Sequence, residues 1–160
     1  MTLPRGLALV LATALAPSVA RWARGQERRI LREGVGLTPD LLRFAETLGI
    51  STAGGIRVAI VRPVPLPVPR RWLKLAASVG FPVFQPSGMA LGNGIYLESP
   101  DPATLRHELV HVAQYERLGG IEPFMRRYLL ECLTAGYAAA PLELEARQRC
   151  QGPQERGASS

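Results

Sequence analysis

Leu105-Arg106-His107-Glu108-Leu109-Val110-His111 decides how this chain of 160 residues is read. The stretch contains the pattern H-E-x-x-H, and both histidines of the protein lie inside it. On an α-helix, positions four apart stack one turn above each other, so His107 and His111 project from the same face. Two imidazoles at that spacing grip one zinc ion. Glu108 then stands beside the metal as a base toward a zinc-bound water.

The flanks give this stretch a helix of its own. Upstream, Ser99-Pro100-Asp101-Pro102 supplies Asp101 as N-cap and Pro102 as first helical residue. Downstream, Gly119-Gly120 stops it. Leu105, Leu109 and Val112 follow one stripe, while His107, His111 and Gln114 follow another. One face packs and the other displays chemistry.

Catalytic zinc needs a third protein ligand and an open fourth position. No histidine remains, so the ligand is expected to be a carboxylate. Glu116 sits on the same helix, mainly on its packing side, and Glu122 and Glu131 lack a supporting context. Glu143 and Glu145 are the candidates. Being two apart, they face opposite sides of the last helix, and only one reaches the metal. Glu143 has the small Ala146 three positions on, which lets that face approach closely. Glu145 has Arg149 at i+4, a pairing of solvated faces, although Glu143 also has Arg147 at i+4. Glu143 is preferred, and Glu145 stands as the alternative third ligand.

Away from the site, Gly6 to Ala20 is an uncharged run ending in Ser18-Val19-Ala20, the small-residue pattern of a leader cleavage site. A helix that stays attached and packs on the domain is the other reading. Arg21 to Arg32 is a basic amphipathic stretch, closed by Gly34-Val35-Gly36. Thr38-Pro39-Asp40 opens a helix that Gly49 ends. Ile56 to Val61 reads as a strand, and prolines at 63, 65, 67 and 69 make the next segment an extended connector. Trp72 to Val79 is helix-like, followed by a loop to Gly88. Met89 to Leu97 is a second strand region, broken by a hairpin or bulge at Gly92-Asn93-Gly94. Pro123 and Pro141 start two further helices. Residues 1–32 thus form a signal-like or amphipathic helical segment, 33–150 one domain, and 151–160 a disordered tail.

Composition narrows the partners. The net charge is +6, and Lys74 is the only lysine. The arginines are spread from Arg5 to Arg156 without a cluster interleaved with aromatics, so no nucleic acid is expected. Weak association with anionic membranes through the N-terminal segment is compatible with that charge. Cys132 and Cys150 are too few for a disulfide framework and pair only if the last helix folds back on the one before it.

The run from Leu105 to Tyr115, followed by Pro141-Leu142-Glu143-Leu144-Glu145-Ala146, resembles the gluzincin type of zinc metallopeptidase. In that group, a glutamate in a downstream E-x-x-A completes the site. The resemblance matches His107 and His111 to the histidine ligands, Glu108 to the base, and Glu143 with Ala146 to the E-x-x-A. Arg147 stands where the family often has aspartate. A closer likeness, over Gly34 to Tyr115, is to small bacterial domains related to the core domain of extracellular contractile injection systems, in which a glutamine is common at the place of Tyr115.

The fold implied is α+β, a minimal zincin-like domain, mostly helical with a small sheet preceding the H-E-x-x-H helix. The expected activity is zinc-dependent hydrolysis of a peptide or protein substrate, with Glu108 as general base. The alternative is a non-catalytic zinc-binding accessory or toxin-associated module. The strand ending at Ile95-Tyr96-Leu97 is the expected edge for an extended peptide, and Tyr137 and Tyr128 are the candidates for oxyanion help. An exported or membrane-associated location is expected ahead of a cytoplasmic one.

Overall fold

Helices lead and close the chain with a small group of strands between them, and the class is α+β. The computed structural model describes residues 2–67 and 85–151. Its elements are α1 (Arg5–Glu33), β1 (Val35–Gly36), α2 (Pro39–Thr47), β2 (Arg57–Ile60), β3 (Gly88–Leu91), β4 (Gly94–Leu97), α3 (Pro102–Leu118), α4 (Ile121–Ala135) and α5 (Pro141–Arg149). The helix expected at 72–79, the end of the proline-rich connector, most of the loop before Gly88 and the tail from residue 152 lie outside the described residues.

The N-terminal segment is one helix that runs unbroken through the step from uncharged to basic residues. Alanines 8, 12, 16 and 20 are fully buried along one side of α1, and without bulk there α4 packs closely. The two helices run antiparallel. The Leu3 N–H donates to the Leu133 carbonyl at one end, at 2.8 Å, and Arg24 pairs with Glu122 at the other, at 3.2 Å. Pro17 lies inside α1 but on its exposed side. Further along, α1 crosses the sheet. Ile30 presses on Gly94, where an added Cβ would meet its side chain at 2.9 Å, and the Tyr96 hydroxyl donates to Gln26 Oε1 at 3.0 Å.

The sheet has the order β1-β2-β4-β3. β2 and β4 are parallel, and the other two pairings are antiparallel. Gly92, with φ of 64°, and Asn93 form a two-residue hairpin turn between β3 and β4, so the alternative of a bulge is excluded. Two expectations need correction. The short β1, read as a helix stop, pairs with β2. β4, expected at the edge, is interior with all four residues buried. The edge strand is β3.

α3 begins and ends as its sequence dictates. The Asp101 carboxylate accepts from the N–H groups of Ala103 and Thr104, and Gly119 closes the helix in the left-handed region at φ 92°. Leu105, Leu109 and Val112 enter the core. α4 starts at Ile121, which leaves Pro123 in the first turn, where a missing N–H costs nothing. Leu142, Glu143 and Ala146 are the buried residues of α5. Cys132 and Cys150 are both free thiols.

Candidate metal centre

α3 and α5 bring three donor side chains to one point. His107 Nε2 and His111 Nε2 are 3.1 Å apart, His111 Nε2 is 3.3 Å from Glu143 Oε1, and His107 Nε2 is 3.4 Å from Glu143 Oε2. Donors about 2.0–2.1 Å from a tetrahedral metal are separated by about 3.3–3.4 Å. The spacing fits one small cation. Among the described residues, Glu143 Oε2 is the one buried side-chain oxygen or nitrogen without a hydrogen-bond partner. A buried carboxylate oxygen left in that state is costly unless a cation meets it.

Hydrogen bonds around His111 sharpen the argument. The Gln114 amide nitrogen donates to the Leu142 carbonyl at 2.9 Å and to Glu145 Oε2 at 3.1 Å. Its oxygen therefore faces His111 Nδ1 at 2.8 Å, so Nδ1 carries the proton and the neutral ring presents a bare lone pair at Nε2. That lone pair, His107 Nε2 and a carboxylate converge, and the group could hold a cation between them. The surroundings favour positive charge at this point. Burial works against charge on His111, but the hydrogen bond to Glu143 and the nearby carboxylates outweigh it and raise its pKa. Burial likewise pushes Glu143 up, yet the two imidazoles and the Tyr128 hydroxyl hold it well below the usual carboxylate range.

Glu145 is engaged elsewhere. Arg117 reaches it with both guanidinium nitrogens, at 2.7 and 2.8 Å, and Arg149 adds a contact at 3.1 Å. The Arg117 fork is the main cause that lowers its pKa to about 2. A carboxylate with a depressed folded pKa contributes stability that is complete above its unfolded value of about 4.3. That contribution is lost as pH falls toward about 2. Arg117→Gln is therefore expected to lower the thermal midpoint at neutral pH and to converge on wild type near pH 2. A gap that stays constant with pH would count against the pairing.

The remaining acidic candidates also have other roles. Glu116 is exposed rather than on the packing side, and accepts from the Ser51 N–H at 2.9 Å and the Thr52 hydroxyl at 3.2 Å. Glu122 pairs with Arg24. Glu131 accepts the Leu142 N–H at 2.8 Å and so caps the first turn of α5. Arg147, in place of the family's aspartate, donates to the Ala138 carbonyl.

Glu108 lies beside the donor trio and against β3. Its Oε2 accepts the Ala90 N–H at 2.8 Å, while the Tyr115 hydroxyl donates to the Ala90 carbonyl at 3.1 Å. Ser87 accepts from Glu98, so by antiparallel alternation Gly88 and Ala90 turn their polar groups outward from the sheet. Two side chains of α3 thus occupy the outer edge at Ala90. Burial is the main cause that raises the pKa of Glu108, although the histidines and the Ala90 amide oppose it. A carboxylate moved toward neutrality is suited to taking and returning a proton.

Gly88 makes room for that carboxylate. A Cβ there would lie 2.8 Å from Glu108 Oε1 and 2.7 Å from Thr104 Cγ2. Gly88→Ala is expected to cost about 1–3 kcal/mol in urea unfolding. An unchanged midpoint would mean that β3 and Glu108 are not in register contact.

A cavity of about 310 Å³ adjoins the donors. Val19 and Trp22 of α1, Met89 and Leu91 of β3, and Phe124 and Leu129 of α4 give it mainly apolar walls. Tyr128 does not stand free for an oxyanion, because its hydroxyl donates to Glu143 Oε1 at 2.8 Å. Tyr137, 38% exposed, lines the same cavity. Gln114 was visible on the histidine stripe without its role. Arg117 carried no signal, since its partner is distant in sequence. A scan against protein-family models, a search among curated proteins and a search among solved structures each found no match.

Proposed function

We propose that the protein is a zinc-dependent metallopeptidase of gluzincin type, with a minimal zincin-like fold. His107, His111 and Glu143 would hold the metal, and Glu108 would act as general base. The observation that carries this reading is the convergence of two imidazole nitrogens on a buried carboxylate whose Oε2 has no hydrogen-bond partner. The helix running beside edge strand β3, with a second helix supplying the glutamate, supports the zincin-like part.

Zinc, when bound, supplies a Lewis acid that polarises a peptide carbonyl and acidifies water. The chain's residues do the rest. Gln114 fixes the tautomer of His111 and Tyr128 aims Glu143. Glu108 is steadied through Oε2 by the Ala90 amide, which leaves Oε1 to take a proton from the attacking water and return it to the leaving amine. The apolar cavity receives a side chain of the substrate and keeps bulk water away. Strand addition is confined to the Gly88 end of β3, because the outer groups of Ala90 are engaged.

One observation favours a second reading, a non-catalytic zinc-binding accessory module. Glu108 is buried and its Oε2 already serves as a structural acceptor for β3. Elemental analysis of the purified chain, with cleavage of a quenched peptide library before and after chelation, tests both. One zinc per chain and chelator-sensitive cleavage support the peptidase. Stoichiometric zinc with no cleavage supports the accessory module, and a chain without metal overturns both.

A further inference from the structure

The outward side of α1 carries a pattern that the metal centre does not use. Along one face, Leu7, Val10 and Ala14 are exposed and uncharged, and then Arg21, Arg28 and Arg32 are exposed and basic. Leu7 is 50% exposed and Val10 64%, with Leu15 at 48% on the flank. Adjacent exposed apolar side chains one turn apart, continued along the same face by arginines unpaired among the described residues, mark a surface suited to an interface that is apolar on one part and anionic on the next. By length and composition α1 is apolar enough to cross a membrane. Its uncharged run rises only about 22 Å, short of the roughly 30 Å hydrocarbon core. One whole side of that run is also closed by α4.

We propose that this face of α1 docks on an anionic lipid bilayer, with the helix lying in the interface. The apolar half enters among the upper acyl chains, and the arginines meet headgroup phosphates. Arg21, Arg28 and Arg32 are in none of the ion pairs among the described residues, so their charge is available. A second copy of the chain fits this face poorly. Parallel pairing sets arginines against arginines, and antiparallel pairing sets them against leucine and valine.

The test is co-flotation of the full chain with two kinds of vesicle, phosphatidylcholine alone and phosphatidylcholine with about one-third phosphatidylglycerol. Binding is expected to the anionic vesicles only, and to weaken as salt rises. Replacing Arg21, Arg28 and Arg32 by glutamine is expected to weaken it about fivefold per arginine, about 100-fold together. Leu7→Asp with Val10→Asp is expected to abolish it while metal content and circular dichroism stay unchanged. Absence of binding to either vesicle, equal binding to both, or binding insensitive to salt and to both variants overturns the proposal. So does a wild-type dimer that the aspartate variant splits without any vesicle binding.

Discussion

Glu108→Gln is expected to lower peptide cleavage by about 10²–10⁴-fold, the usual contribution of a positioned acid–base group, with the metal retained. The donors that converge belong to His107, His111 and Glu143, and Glu108 is not among them. Glutamine keeps the shape of the side chain and an oxygen to accept the Ala90 N–H. What disappears is the capacity to take a proton. The same change removes a buried charge whose desolvation is unfavourable, so the thermal midpoint should hold or rise. Cleavage with unchanged kcat would remove Glu108 from the mechanism. Loss of metal together with activity would make it a ligand instead of a base.

The second large effect separates the two glutamates of α5. Glu143→Ala is expected to empty the site and to remove the thermal stabilisation that added zinc gives the wild type. The truncation takes away one of three candidate donors and leaves the Tyr128 hydroxyl and both imidazoles, of which His111 is buried, without their carboxylate partner. Glu145→Ala is expected to keep the metal, weakened by about 10–100-fold as for other supporting residues. It loses the Arg117 fork and one acceptor of Gln114, which acts on His111 at one remove. Metal per chain measured in the two variants decides the matter. Retention in Glu143→Ala with loss in Glu145→Ala would reverse the assignment.

What could be read beforehand divides by range along the chain. Asp101, Pro102 and Gly119 delimit α3 through contacts within a few residues, and the helical period then places both histidines. The hairpin at Gly92 is equally local. The position of β4 was misread because its parallel pairing with β2 joins segments separated by the proline-rich connector, and no local signal carries that pairing. The step from apolar to basic residues after Ala20 left a leader cleavage site and an attached helix both open, since composition changes there. The buried alanines continue across the step, through Ala20 to Ala23. They outweigh the change on the exposed side. Glu143 and Glu145 were hard to tell apart because the discriminating partner, Arg117, lies on another helix. The neighbours of a carboxylate within α5 are arginines in both cases, and only tertiary packing shows which arginine is shared.

The backbone of one residue, Leu142, is held from both sides. The Leu142 N–H is taken by Glu131 of α4, and the Leu142 carbonyl by Gln114 of α3. Glu143 is the next residue, so its carboxylate swings on a tether one residue long from a doubly fastened post. α5 has nine residues, too short to hold a fixed pose by its own hydrogen bonds. Its phase is thus set from outside, and a slip of one residue would turn Glu143 about 100° away from the histidines. Changing the number of residues between α4 and α5 would therefore disturb the site more than most replacements on the outer surface of α5. In that connection, length carries more information than the identity of its residues.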